Sequence, residues 1–532
     1  MERLILDVIV VLLVLSTYWI AIAILDKKGV LERYDIRAHG PILMVGTKRG
    51  QKLLDFLARP KRFWRFFANV GGPLMLMTLA FVFAMLLYAN YVMLDHVPYS
   101  FILPEPKGIL LLPDINELIP LVWVLVGLML ATIVHEFGHA ILSRVEGIRV
   151  KSMGIVLALI PVAFFTKLED GQISGAERGK RIRILTAGVM ANFVVALVSF
   201  ILFFATLSAI SPVGDVMITG VTSESPADLA GIEKGGILTG LNEWNITTIR
   251  DVHAFMRSIP PGDIVTVHVM VNGTERAFGV RMDQIGHIEI VRTVEGYPAR
   301  EAGITAGMYI VQIDDTVINT VDGFLRFMND TRPGQRVDVH VLDNMTERIF
   351  NITLAEPPHE DMDKGWLGVT VVPSIGLGVQ LEEYPASDTL QFLKAIPHKL
   401  NEPMGWAILI TLPFMEFVGL MGFTGFTDFL MQFFQPVEWA FPIGDEIFWM
   451  ANILFWVAWI NFYVGMFNCL PVVPLDGGRV FKEMILSQTS RIIKTEENRE
   501  KISHAIVTGL ALLILSSLIL LLMGPYLLRG FI

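Results

Sequence analysis

The chain of 532 residues holds a single cysteine, Cys469. That excludes an intramolecular disulfide and any cysteine-based zinc cluster, so a metal site has to be built from His, Asp and Glu. Charge is scarce as well: 18% of residues are Asp, Glu, Lys or Arg, against about 25% in an ordinary soluble domain. Positive charge is not in excess. The formal net charge of -10 argues against a nucleic-acid partner, because phosphate neutralisation needs clustered Lys and Arg. What is abundant is apolar: 53% of the chain is hydrophobic and the mean hydropathy is +0.56. The expected class is an integral membrane protein.

Long uncharged runs cover residues 4–25, 70–92, 119–142, 184–210, 447–470 and 506–522, each near the roughly 20 residues needed to cross a bilayer. A seventh run, 406–423, contains Pro413, Glu416 and several glycines, and reads as spanning, re-entrant or interfacial. The stretch 26–65 is rich in Lys and Arg, including Lys27, Arg37, Lys52 and Arg65, which places it in the cytoplasm by the positive-inside rule. Because this charge follows the first apolar run, that run reads as a retained helix and not a cleaved signal peptide, with its N-terminus outside. Counting onward leaves 95–117 outside, 144–183 inside and the large polar region after Ile210 outside. Five Asn-x-Ser/Thr triplets, at Asn245, Asn272, Asn329, Asn344 and Asn351, all fall in that outer region and agree mildly with it. The expected location is therefore a multi-pass cell-membrane protein in contact with the lipid bilayer.

The outer region repeats itself from about residue 213 to 357 at an offset of 72. Pro226, Ala227, Ala230, Gly231 and Ile232 match Pro298, Ala299, Ala302, Gly303 and Ile304, and Phe255, Pro261, Gly262 and Val267 match Phe327, Pro333, Gly334 and Val339. Two copies of one small domain follow. Each copy runs as a short alternating strand, a Pro-Ala-x-x-Ala-Gly-Ile helix, an apolar strand, an amphipathic helix, a Pro-Gly turn and another alternating strand. This pattern resembles the circularly permuted PDZ domain of bacterial and archaeal envelope proteases. The resemblance implies a groove that receives an extended peptide as an added strand; a spacer or size filter that binds nothing is the plainer alternative.

The most costly residues stand inside the third run, which reads His135-Glu136-Phe137-Gly138-His139. A charged group in a membrane helix costs about 2.5–3.5 kcal/mol on the lenient insertion scale, and that cost asks for a partner. Residues four apart project from one helix face, so both imidazoles can hold one metal with Glu136 beside them, the set that zinc-assisted hydrolysis requires. A polar patch for helix association is the bland reading. A hydrolytic site needs a third protein ligand, with the fourth position left for water. The segment Asn468-Cys469-Leu470-Pro471-Val472-Val473-Pro474-Leu475-Asp476-Gly477-Gly478 offers Asp476, although Leu-Asp-Gly-Gly by itself reads equally as a helix-breaking turn.

Together with Gly188-Val189-Met190-Ala191-Asn192, these elements resemble the site-2 protease family of intramembrane metalloproteases. The resemblance implies zinc held by His135, His139 and Asp476, Glu136 as general base, and Asn192 as the residue that positions substrate, with Asn468 a second substrate-binding candidate ranked below it. Close helix packing is the plainer role of the Gly188–Asn192 element. One departure is Val189, where the family often has proline. The interrupted stretch 147–161 is expected to form a membrane-inserted hairpin or loop whose edge pairs with an unwound substrate segment.

The expected fold is a polytopic α-helical membrane protein of six or seven spans with two inserted PDZ-like α/β domains. Its parts are accessory helices at 1–112, a catalytic core at 113–210, repeats at 211–284 and 285–357, a linker with a re-entrant or interfacial segment at 358–445, and the rest of the core at 446–532. The expected function is zinc-dependent cleavage within a transmembrane segment of a membrane-protein substrate, near the cytoplasmic face, with the repeats outside. Two alternatives stand beside it: a membrane-anchored zinc protease acting on soluble or misfolded chains, and an inactive PDZ-bearing receptor or assembly factor with a structural metal.

Overall fold

The computed structural model describes residues 2–530 except Asp35, Lys48, 97–119, Asp170, Ser174, Glu224, Arg257, 260–262, Asn272, 283–287, Asn319, 344–345, 358–363, 374–376, 419–421, Arg491 and Lys494. The chain divides into two compact units: Met1–Leu207 with Ile396–Gly425 and Phe448–Ile532, and Ser208–Ala395 with Phe426–Ile447.

In the first unit, apolar runs become helices because a backbone without water has to satisfy its own hydrogen bonds. Five helices among the described residues are long and apolar enough to cross a membrane: Lys61–Leu94, Leu121–Val145, Arg178–Ala209, Glu446–Asn468 and Glu496–Leu521. The helix Glu2–Lys27 has 26 residues. Among the described residues, the run 406–423 forms no helix of spanning length; the apolar helix there is Pro403–Met415. Most of the expected outer loop 95–117 lies outside the described residues.

The helices pack through small residues. Helix Leu121–Val145 buries Gly127, Ala131, His135 and Gly138, spaced four, four and three apart along one face. A Cβ on Gly138 would stand 2.6 Å from the Ala187 carbonyl oxygen, so this helix and Arg178–Thr206 run almost backbone to backbone. Helices Lys61–His96 and Glu496–Gly530 are pinned by Asn90, whose amide donates to Ser517 Oγ at 2.8 Å and to the Ser517 carbonyl at 3.1 Å.

The stretch 147–161 is part of something larger than a hairpin. Strands β1 (Ile36–His39), β2 (Ile42–Thr47), β3 (Val150–Ala158) and β4 (Ile160–Leu168) form one antiparallel sheet in that order. This corrects two expectations. Residues 1–112 supply strands as well as helices, and β3, which carries Met153 and Ile155, is an inner strand with both edges paired. The free edge beside the hairpin is that of β4. Pairing across about a hundred residues leaves no local signature, which is why the sequence showed only half of this sheet.

The second unit opens with β5 (Ile210–Pro212). The first repeat holds β6 (Val216–Val221), β7 (Ile237–Leu241), β8 (Trp244–Asn245), β9 (Ile264–Val271) and β10 (Thr274–Arg281). The second holds β11 (Ile288–Thr293), β12 (Tyr309–Ile313), β13 (Thr316–Val317), β14 (Arg336–Asp343) and β15 (Thr346–Thr353). Two further strands, β16 (Val369–Pro373) and β17 (Val379–Glu383), complete both sheets. The orders are β10-β9-β7-β6-β17 and β15-β14-β12-β11-β16. The last short strand, β18 (Phe434–Pro436), pairs with β5.

The second repeat is therefore nested inside the first. The same bonds recur in both: Thr222 and Ala227 donate their backbone N–H to the carbonyls of Gly378 and Leu377, and Val294 and Ala299 donate to those of Gly368 and Leu367. Gly368 and Gly378 sit at φ +80° and +73°, where a side chain is strained. The boundary at 357 and the linker beginning at 358 are corrected accordingly: that stretch holds the closing strands of both domains. The two Leu-Gly-Val segments are only ten residues apart, so a search at an offset of 72 passes over them.

Each repeat has its own core. Ala227, Phe255 and Val267 are buried in the first, and Ala299, Phe324 and Val339 in the second. Asn245, Asn329 and Asn351 are exposed; Asn272 and Asn344 lie outside the described residues.

Candidate metal centre

His135 and His139 stand one turn apart on helix Leu121–Val145, and Asp476 is the first residue of helix Asp476–Thr489. That helix starts where the Cys469–Leu475 segment breaks the preceding one. Cβ atoms on Gly477 or Gly478 would collide with the backbone of Cys469 and Val472 respectively, so the glycines let the new helix fold back against the break. Gly188 has a related role. A Cβ there would lie 2.6 Å from His139 Nε2 and 2.9 Å from His135 Cε1, so this position stays bare to leave room for the two rings.

The hydrogen bonds decide which imidazole nitrogens are free. His139 Nδ1 lies 2.7 Å from the Ile184 carbonyl oxygen, which can only accept, so Nδ1–H donates. His135 Nδ1 lies 2.9 Å from Asn192 Oδ1. The orientation of that amide follows from its other end, where Asn192 Nδ2 donates to the Ala131 carbonyl at 3.1 Å. Both rings thus carry a proton on Nδ1, which leaves Nε2 as the atom each ring can offer to a metal.

Those atoms converge. His135 Nε2 and His139 Nε2 are 3.1 Å apart, and each faces Asp476 Oδ2, at 3.1 and 3.0 Å. Asp476 Oδ2 is buried and, among the described residues, has no hydrogen-bond partner. Once both Nε2 atoms are deprotonated, three electron-pair donors in van der Waals contact repel one another unless a cation sits among them. Their spacing is close to roughly 3.3 Å, the edge of a tetrahedron with bonds of about 2.0 Å to nitrogen and oxygen. The residues present fit zinc, and among the described residues His135, His139 and Asp476 form the group of three metal-binding side chains.

A cavity of about 290 Å³ opens at this point, lined among others by Glu136, Thr166, Leu168, Asn468 and Arg479. Thr166 of β4 donates its hydroxyl to the Glu136 carbonyl at 3.0 Å, which ties the sheet's free strand to the helix carrying the histidines. The two asparagines sit differently, and Asn468 Nδ2 already donates to the Val464 carbonyl at 2.9 Å. Asn468 lines the cavity. Asn192 is fully buried, and its amide is used by His135, Ala131 and Asn461. It stands behind a metal-facing ring, on the face of its helix that packs against Leu121–Val145.

Sequence reasoning missed Asn461. It is fully buried, accepts from Asn192 Nδ2 at 3.3 Å and donates to the Val457 carbonyl at 2.8 Å. The available signal was an amide inside the apolar run 447–470, seven residues and two helical turns before Asn468 and therefore on the same face.

Residues 123–516 match the family model for peptidase family M50. The chain belongs to this family, the site-2 protease family. Its relatives include an uncharacterized protein of Methanocaldococcus jannaschii, 27% identical over 47% of this chain and 65% of that protein. Two others carry the provisional name zinc metalloprotease. That of Agrobacterium fabrum is 27% identical over 28% of this chain and 49% of its own length, and that of Vibrio cholerae 23% identical over 73% and 95%. The chain thus spans less than two thirds of the Methanocaldococcus and Agrobacterium relatives. Among solved structures, the PDZ domain of an SdrC-like protein from Listeria monocytogenes is 19% identical over 16% of this chain and 86% of that chain, with a TM-score of 0.15; nothing is argued from so small a likeness.

Proposed function

We propose that this protein is a zinc endopeptidase that hydrolyses a peptide bond within a transmembrane segment of another membrane protein, near the cytoplasmic face. The observation that carries the proposal is the convergence of three metal-ligand atoms from two apolar helical regions, with Glu136 beside them at a cavity. Zinc held by His135, His139 and Asp476 would supply an acidified water and a Lewis acid for the carbonyl. Glu136 accepts the proton of that water and passes it to the leaving amine. Asn468, at the cavity wall, keeps one Nδ2 proton on the Val464 carbonyl and offers the other to the oxygen of the scissile carbonyl as charge develops there. Asn192 and the Ile184 carbonyl hold the two Nδ1 protons, which keeps both Nε2 atoms available.

A helical peptide bond has to be unwound before attack. The free edge of β4, next to Glu136 through Thr166 and Leu168, suits an added substrate strand. A cysteine at Thr166, in a Cys469→Ser background, is expected to crosslink to a cysteine near the scissile bond and not to one a turn outside it. The Lys- and Arg-rich stretch 26–65 supports a cytoplasmic position, which leaves the two PDZ-like repeats outside, where they screen or recruit substrates. On this count the helix Glu2–Lys27 is a sixth span.

The test is cleavage of a single-span reporter by the purified protein, its Glu136→Gln variant and its Asp476→Asn variant, with zinc determined in each. Cleavage by the parent alone, with zinc retained by Glu136→Gln and lost by Asp476→Asn, is the expected result. A parent that binds zinc and cleaves neither this reporter nor one offered to a protein lacking the repeats refutes the proposal in favour of a receptor with a structural metal.

A further inference from the structure

The nested repeats enclose a second cavity, of about 330 Å³, unrelated to the metal-facing residues. One side is β17, whose Gln380 and Leu381 line it together with Ile249 at the start of helix Ile249–Met256. The opposite wall comes from the second repeat: Glu289, Val291 and Val372. Strand β17 is the end strand of its sheet and pairs only with β6. Its other edge therefore offers backbone N–H and C=O groups to an added strand.

Glu289 does not fit an inert wall. It is 3% exposed and is the single charged residue lining the cavity. Among the described residues its carboxylate receives one side-chain hydrogen bond, from Gln380 Nε2 at 2.7 Å. A neutral amide leaves the buried charge uncompensated, and burial pushes the Glu289 carboxyl above its ordinary range. The carboxylate is also no requirement of the repeat: 72 residues earlier the equivalent position is Met217, buried at 5% exposure. The second copy has exchanged an apolar side chain for an acid where it faces the groove of the first.

We infer that the groove between β17 and helix Ile249–Met256 binds an extended internal peptide segment that presents a Lys or Arg side chain to Glu289. The first repeat supplies the strand edge and the second supplies the charge, so neither copy holds the complete site. A free C-terminal carboxylate is disfavoured there, since a second buried anion faces like-charge repulsion in a low-dielectric cavity. The inference rests on reading the repeats as binders of extended peptide, and is independent of the chemistry at His135 and His139.

The test uses the full chain in detergent with fluorescent decapeptide pools, randomised except at the centre. Amidated pools carry Lys, Arg, Glu or norleucine at that position, and a further norleucine pool ends in a free carboxylate. Anisotropy is read for the parent, Glu289→Gln and Glu289→Met. Binding of the Lys and Arg pools at least tenfold tighter than the Glu and free-carboxylate pools, with that preference lost in both variants, supports the inference. Binding that ignores the central charge, or that requires the free carboxylate, overturns it while leaving the repeats as peptide binders. No binding by any pool overturns both. The preference among pools is measured on the parent alone, so a variant that fails to fold does not remove the test.

Discussion

Two buried polar clusters sit at the same helix, Leu121–Val145, and differ in how complete they are. At its C-terminal end Glu146 accepts from Arg65 Nε at 3.1 Å and Arg183 Nε at 2.9 Å, with its side chain fully buried. Burial by itself would raise this carboxyl, but the two guanidinium groups hold it below its ordinary value of 4.5. That cluster has its countercharges and joins three helices. Two and three turns earlier, His139 and His135 meet Asp476 of another helix, with the three metal-ligand atoms 3.0–3.1 Å apart. Each cluster leaves one buried carboxylate oxygen without a hydrogen bond, Glu146 Oε2 and Asp476 Oδ2. The difference is that Glu146 faces two permanent guanidinium charges, whereas Asp476 faces two ring nitrogens that can bind a metal.

The largest test of this contrast is at Glu136. Glu136→Gln is expected to lower reporter cleavage about 10²–10⁴-fold, the usual worth of a positioned general base, while zinc content stays at that of the parent. Next is Asn192→Leu, which releases the Nδ1 proton of His135 from its acceptor. Zinc affinity measured against a competing chelator is expected to fall about 10–100-fold. Asn461→Leu acts one bond further away, and its loss in the same assay is expected to be smaller than that of Asn192→Leu. An equal or greater loss shows that Asn461 acts directly on the site.

Glu146→Ala sharpens the comparison from the other side. It leaves zinc binding in place and costs roughly 1–3 kcal/mol of stability, because the half-exposed Arg65 and the more buried Arg183 lose their acceptor. Since the folded carboxyl titrates below 4.5, its stabilisation is complete above that pH and is lost as the pH falls through the folded value. The difference in melting temperature between variant and parent should shrink accordingly in acid. The smallest effect is at Glu289, whose folded carboxyl titrates above 4.5 and so destabilises the charged parent at neutral pH. Glu289→Gln is expected to raise the melting temperature slightly at pH 7.5, with the gain disappearing below about pH 4.5. A gain that persists in acid removes the uncompensated charge as its cause.

Much of this was legible in the residues. His135 and His139 announce themselves because two imidazoles and an acid inside an apolar run are costly, and their spacing of four places them on one face. The repeats were legible through a constant offset. The roles of Asn192 and Asn468 were not, because an amide's partners depend on which helix it faces, and both asparagines look alike in an apolar run. Nor was Asn461, whose part in the site comes from a bond to a residue 269 positions away.

By itself, the sequence determined the helices and the pairing of His135 with His139, since both follow from local periodicity and from the solvent each run has to satisfy. The tertiary structure decided that β1 and β2 extend the sheet beside the cavity, that β16 and β17 close the sheets of nested repeats, and that Asp476 meets the two histidines. These are long-range choices, settled by the satisfaction of backbone and buried polar groups across the whole chain, and no window of neighbouring residues contains them.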